Sequence, residues 1–324
     1  MATRFELVLA GGPEPQLRAA GEQAIALIHD LEARLSRFRA TSEIGRSNAL
    51  AAERPVRIDG GVFELLVRAR ALWERTGGAF DVTVGPLMQC WGLAGGGGRV
   101  PAAAELAAAR DRVGMHLLEL DPARCTVRFA RPGVAIDLGG IGKGYALEQA
   151  AEVLREAGVV SALLHGGTSS VQAVGGAPDG RGWRIAIPYP AGVGGETAGL
   201  GADGGEPPVV AVVELRDQAL GVSAGHGKQF RAGDAWYGHV LDPRLGRPAE
   251  AALLAAVVSD SGTEADALAT ALLVLGAAGV PLLPGAASLV VARGAGAEAY
   301  RVAASGIPTL AYPAAARPQP AHGA

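Results

Sequence analysis

Four stretches of this chain hold residue types that do chemistry. In EADALATALLVLG, Asp266 and Thr270 stand four positions apart, so on a helix a carboxylate and a hydroxyl share one face and can reach one hard cation. Thr263 can join them or cap the helix. In AIDLGGIGKGYALEQA, Ala135 to Ala150, glycines at a strand-to-helix turn let backbone N–H groups approach an anion, and Lys143 adds a full charge at the positive end of the helix. In YGHVLDPRLGRP, His239 is expected in a strand before the turn-forming DPRLG, where it can be a general base or a phosphate ligand. In TGGAFDVTVGPL, Phe80 can lie against a flat ring, and Asp81 can accept hydrogen bonds from a ring nitrogen or a ribose.

Taken singly, each stretch also has an ordinary structural explanation. The glycine segment is not a P-loop, because Lys143 is followed by Gly144 rather than by Ser or Thr. It is not a dinucleotide fingerprint either, because Tyr145 and Ala146 follow Gly144 where GxGxxG needs a third glycine. A diphosphate at the helix start and a tight turn that only glycine makes explain it equally well.

These residues need a scaffold. RFELVLA alternates as a strand, and the next segment repeats apolar residues at Leu17, Ala20, Ala24, Leu27, Ile28, Leu31 and Leu35, a helical stripe. A second helix runs through Phe63, Leu66, Ala69 and Trp73 and stops at Gly77 and Gly78, after which AFDVTVGPLMQCWG reads as loop. TVRFA, VAIDL, SALLHGG, WRIAIP, VVAVVEL, LLAAVVS and ASLVVA read as strands, with helices at KGYALEQAAEVLREAG and TEADALATALLVLGAAG. Strands and helices mix without strict alternation, which predicts an α+β or layered α/β fold rather than a doubly wound sheet. The glycine runs AGGGGR and YPAGVGGETAGLGADGGEPP are expected as surface loops, and residues 314–324 as a frayed tail.

Composition narrows the function. The 324 residues are 49% apolar with net charge −3 and scattered basic residues, so neither a nucleic-acid footprint nor a polybasic membrane patch is present. Cys90 and Cys125 lack ligand spacing and are expected as two buried thiols. The opening MATRFELVLAGG has no secretory pattern and no run of about 18 uninterrupted apolar residues occurs, so the expectation is a soluble, cytoplasmic protein.

In order, MATRFELVL, LSRFRATSEIGRSNA, GAFD, DLGGIGKGYA, HVLDPRLG and ADALAT resemble the FAD:protein FMN transferase (ApbE) family from Met1 to about Gly276. The resemblance implies one ApbE domain over residues 1–313, of T-fold-like type with mixed sheets and packed helices. It also implies Mg²⁺ as cofactor and FAD as substrate, with FMN moved to a Thr or Ser hydroxyl of an acceptor protein and AMP released. By position, it implies FAD contacts at Met1, Thr3, Phe38, Ala79, Phe80, Asp81, Gly139, Lys143, Tyr145 and Val240. Mg²⁺ ligands would be the Gly142 carbonyl, Asp266 and Thr270 with Thr263 close by; Asp266 and His239 would carry the catalysis, His239 as the base.

Three departures edit the pocket. Ala2 replaces the glycine of the usual MGT start, His165 and Thr168 stand where Asn-Gly-Gly-Asp is usual, and Val222, Ser223, Ala224 and Gly225 break a Thr-Ser-Gly turn. Two other readings therefore stay open: a Mg²⁺-dependent FAD pyrophosphatase and a non-catalytic FAD-binding protein.

Overall fold

The computed structural model describes residues 3–190, 208–225, 229–294 and 300–308. Met1, most of the second glycine run and the 314–324 tail lie outside the described residues. Strand β1 (Phe5–Ala10) leads to helices α1 (Glu14–Leu35) and α2 (Glu43–Leu50), then β2 (Val56–Arg57), α3 (Gly60–Arg75), α4 (Gly85–Cys90) and α5 (Ala103–Arg110). Hairpin β3 (Leu118–Asp121) and β4 (Thr126–Phe129) precedes α6 (Gly142–Glu156), which is followed by β5 (Ser161–Gly166), β6 (Ser170–Val174), β7 (Trp183–Pro188), β8 (Val209–Leu215) and β9 (Ala219–Ala224). After hairpin β10 (Gln229–Ala232) and β11 (Ala235–Gly238) come β12 (Leu241–Asp242), β13 (Arg247–Pro248), β14 (Leu254–Ser259), α7 (Gly262–Leu275), β15 (Ala287–Arg293) and β16 (Tyr300–Ser305).

Seven strands form the main sheet in the order β1-β5-β6-β9-β14-β15-β16. Every neighbouring pair in it is antiparallel, which agrees with the layered α+β expectation and rules out a doubly wound sheet. Strand alternation divides the core. Ala255 and Val257 face the helices α1, α3, α6 and α7, while Leu254, Ala256 and Val258 face the opposite side, which the β7–β8 ribbon covers with Ile187, Val210 and Val213. A sheet covered on both faces needs apolar residues at successive positions, which is why LLAAVVS reads as an unbroken apolar run.

Helix α7 is apolar nearly all round because it lies inside the protein. With the 3₁₀ turn that follows, Gly262–Leu282 has a mean hydropathy of 1.8 over its most apolar window, enough by length and composition to cross a membrane, but most of it is buried as a core helix. Glu264, Asp266, Gly276 and Pro281 punctuate it, so the expectation that no uninterrupted apolar run of that length occurs stands.

Other local expectations change. AFDVTVGPLMQCWG is not all loop. Pro86 opens the short α4, whose Leu87 and Cys90 pack with Trp91 in a third apolar cluster; six residues are too few to show a period. VAIDL is not a strand but a single parallel bridge, Val84 to Ala135. The Asn48 side chain stands in for a neighbouring strand there, accepting from Ile136 N at 2.7 Å and donating to Ile136 O at 2.9 Å. His239 occupies a bend between β11 and β12 rather than a strand. Cys90 is buried as expected, but Cys125 is only half-buried.

Candidate active site at the crossing of two helix starts

Helices α6 and α7 meet at their N-terminal ends. A Cβ on Gly144 would come 2.0 Å from the Gly262 carbonyl oxygen, and one on Gly262 would come 2.7 Å from the Gly144 oxygen, so only glycine permits this approach. Strand β9 supports the crossing through Gly221, where a Cβ would lie 2.3 Å from Ala265 O.

At the crossing each helix caps the other. No side chain of its own caps α6, and instead Gly144 N donates to Asp266 Oδ2 of α7 at 2.7 Å. In return Glu148 of α6 accepts from Thr263 N at 2.9 Å, while Ser261 is the local cap of α7. Thr263 therefore does not cap α7 through its side chain.

The two carboxylates differ in charge partners. Glu148 pairs with Arg68 at 2.7 Å and accepts from Ser261 Oγ at 2.6 Å. Burial raises its pKa, but Arg68, Ser261 and Thr263 N–H outweigh that and hold it below the ordinary value. Asp266 accepts from Gly144 N and from Ser170 Oγ at 2.7 Å, with Lys143 acting on it only through space. Burial prevails over those three favourable influences and leaves its pKa raised.

Thr270 completes the cluster. Its Oγ1 donates to Asp266 O at 3.1 Å and lies 3.2 Å from Ser223 Oγ of β9. The glycine turn before α6 wraps against it: a Cβ on Gly140 would sit 3.3 Å from Thr270 Oγ1 and 3.4 Å from Phe80 Cε2. The anion cradle suggested by the glycine segment is thus partly filled from within. Gly142 N bonds Leu138 O, and the Gly144 N–H serves Asp266.

The GAFD loop packs beside this turn. Ala79, Phe80 and Asp81 are all buried, and Asp81 Oδ1 accepts from Thr83 N at 2.7 Å and Thr83 Oγ1 at 2.6 Å. Burial raises the Asp81 pKa against the opposing pull of Thr83 and His116. Phe38 stands at the rim, 73% exposed, with the Arg37 guanidinium 4.5 Å over its ring. Arg37 also reaches Asp137 at 3.1 Å, whose other oxygen accepts from Gly139 N, which ties the Phe38 segment to the glycine turn.

The remaining positions are more distant or less direct. Tyr145 turns its hydroxyl to Gly61 O at 3.2 Å and so braces α3 instead of facing Asp266. Val240 O accepts from Ala249 N. His239 follows Gly238, which packs on Gly225 just past the end of β9, two residues beyond Ser223. Thr3 lies against Gly167 in the β5–β6 turn. His165 on β5 is half-buried, and burial lowers its pKa against the pull of Glu6.

The sequence pattern of the ApbE family matches residues 1–286. The chain belongs to the ApbE family.

This ApbE chain is 30% identical over 261 residues to the FAD:protein FMN transferase of Haemophilus influenzae, covering 79% of this chain and 72% of that one. It is 32% identical over 277 residues to the Rhodobacter capsulatus protein of the same name, of which it spans 50% of the length. Among solved structures, the flavin transferase ApbE from Vibrio cholerae superposes with a TM-score of 0.78 at 26% identity, with 94% of each chain covered. The ApbE protein from Thermotoga maritima gives 0.77 at 27% identity over 89% of this chain and 91% of that one.

The crossing in this ApbE fits a hard cation. One carboxylate with hydroxyls and backbone carbonyls is the oxygen chemistry that suits Mg²⁺, and a cation would relieve the burial penalty of Asp266. Thr263 Oγ1, on the same side of α7, is buried without a hydrogen-bond partner. Among the described residues no three His, Cys, Asp or Glu side chains cluster, so a metal at this site would rest on hydroxyl and backbone oxygens beside the one carboxylate. Sequence reading missed Gly140, Gly144, Ser170 and Gly262 as site-builders. Ser170 gave no signal of its own, because the short, partly polar strand that carries it was itself not legible.

Proposed function

We propose that this chain is a Mg²⁺-dependent FAD:protein FMN transferase, moving FMN from FAD to a Thr or Ser hydroxyl of a target protein with release of AMP. The observation that supports this most is the buried Asp266 carboxylate, fixed by Gly144 N and Ser170 Oγ next to Thr270 in an ApbE chain. Asp266 and Thr270 would hold the ion through side-chain oxygens and Gly142 through its carbonyl, with Thr263 nearby. Bound Mg²⁺ would neutralise the FAD pyrophosphate and make the FMN-side phosphorus more electrophilic.

The chain's own residues orient the reaction. Lys143, half-exposed in the first turn of α6, adds positive charge on the diphosphate side. Phe38, the GAFD loop (Ala79, Phe80, Asp81), Gly139 and Val240 line the FAD. The acceptor hydroxyl oxygen forms a bond to the FMN-side phosphorus as the bond from that phosphorus to the bridging oxygen breaks. The hydroxyl proton passes to His239, and AMP leaves with the bridging oxygen.

Incubation with FAD, Mg²⁺ and a Thr-containing acceptor protein, followed by mass spectrometry, tests the reading. The expected result is an FMN-sized mass on the acceptor with equivalent AMP. AMP without acceptor labelling indicates a hydrolase, and intact FAD with Mg²⁺ present excludes turnover.

A further inference from the structure

On the helix-facing side of β6, alternation places Ser170, Gln172 and Val174 beneath α6 and α7, while Val171 and Ala173 point to the opposite core. Two polar side chains thus stand where a buried strand ordinarily carries apolar ones. Ser170 is 1% exposed, and its hydroxyl hydrogen is directed to Asp266 Oδ1 at 2.7 Å. A hydroxyl donating to a carboxylate is among the stronger hydrogen bonds. The second oxygen of Asp266 is held by Gly144 N, so two donors on different elements, β6 and α6, fix the plane of the carboxylate. Rotation of that group would break one bond or the other.

We infer that Ser170 is a positioning residue for Mg²⁺, acting through Asp266 by fixing the carboxylate orientation that leaves its remaining lone pairs to the ion. The inference rests on the metal site proposed above. Ser170 does not touch the ion or FAD. Its contribution is pre-organisation, as for the outer partners that orient metal ligands generally. Gln172, its neighbour on the same face, shows the alternative: its Nε2 donates to Ala173 O, and its Oε1 is buried without a hydrogen-bond partner rather than turned to a donor.

Calorimetric titration of the full chain with MgCl₂, without FAD, tests this. Ser161 supplies a comparison, because this buried serine's hydroxyl makes a part-buried bond, to Gly176 O at 2.7 Å, at the far end of β5 from the site. Ser170→Ala is expected to weaken Mg²⁺ binding about 10- to 100-fold. Ser170→Cys, which fills the site with a bulkier sulfur that donates only weakly, is expected to do the same and serves if the cavity-leaving alanine variant folds poorly. Asp266→Ala should abolish binding and Ser161→Ala should leave it unchanged.

Tight Mg²⁺ binding by both Ser170 variants alongside loss in Asp266→Ala would overturn the role of Ser170 while leaving the metal site standing. Equal weakening in Ser161→Ala and Ser170→Ala would also overturn it, since general loosening would then explain both. Absence of Mg²⁺ binding by the unaltered protein would remove the metal site itself, and this inference with it.

Discussion

Glu148 and Asp266 occupy reciprocal places, each a carboxylate from one helix at the first turn of the other. Their difference is the cation beside them. Glu148 has Arg68 in contact and is held ionised as part of a staple linking α3, α6 and α7. Asp266 has only neutral donors in contact, and burial pushes its pKa up. One site has its positive partner in contact within the fold; at the other no cationic side chain is in contact, Lys143 acts only through space, and Mg²⁺ is proposed above as the partner. The same capping geometry thus yields a structural joint on one side and a candidate metal ligand on the other.

Removing each carboxylate should break the comparison most clearly. Asp266→Ala is expected to lower FMN transfer by at least about 100-fold, measured as labelled acceptor per unit time, because charge stabilisation at the phosphorus is lost. The thermal midpoint without Mg²⁺ should change far less than the rate. Glu148→Ala should do the reverse. It leaves Arg68 partly buried without a carboxylate partner and is expected to cost about 2–3 kcal/mol in urea unfolding, less than a fully buried pair, because both side chains keep some solvent contact and Arg68 keeps Ser261 Oγ.

Proton linkage should separate the two by sign. Between the ordinary and the raised pKa of Asp266, the folded state holds a proton that the unfolded state has lost, so stability falls as pH rises through that interval. Between the lowered and the ordinary pKa of Glu148, the unfolded state holds the extra proton, so stability rises with pH there. Asp266→Asn should remove the fall and Glu148→Gln the rise, both read from denaturant midpoints across acid to neutral pH. Slopes of the same sign in the two comparisons would contradict the assignment of their environments.

The smallest effect is expected at the third charge near this corner. Arg75 reaches Glu264, in the first turn of α7, at 3.5 Å with both side chains over a third exposed. Arg75→Ala should change urea stability by no more than about 0.5 kcal/mol. A cost approaching that of Glu148→Ala would mean that charge at this helix start matters regardless of burial.

Periodicity made much of the scaffold legible. The stripe ending at Leu35, the helix closed by Gly77 and Gly78, and the apolar runs of β8 and β14 all appear where the pattern places them. Short or polar elements were not legible. Helix α4 is too brief for a period, β6 carries Ser170 and Gln172, and the stretch from Val134 to Leu138 is held by Asn48 rather than by a neighbouring strand. At the site, the helical spacing of Asp266 and Thr270 was readable, because neighbours along one helix share a face by geometry alone.

What the sequence determined by itself was therefore local: which residues share a face, where helices stop, and which motifs recur in family order. Tertiary structure alone decided the partners. Gly144 and Ser170 lie 122 and 96 positions from Asp266, and Thr263 lies 115 positions from Glu148. No spacing rule spans such distances. They meet because Gly144, Gly221 and Gly262 lack the Cβ atoms that would hold α6, α7 and β9 apart, so contact geometry, not sequence pattern, gives one carboxylate an arginine partner and the other only neutral donors.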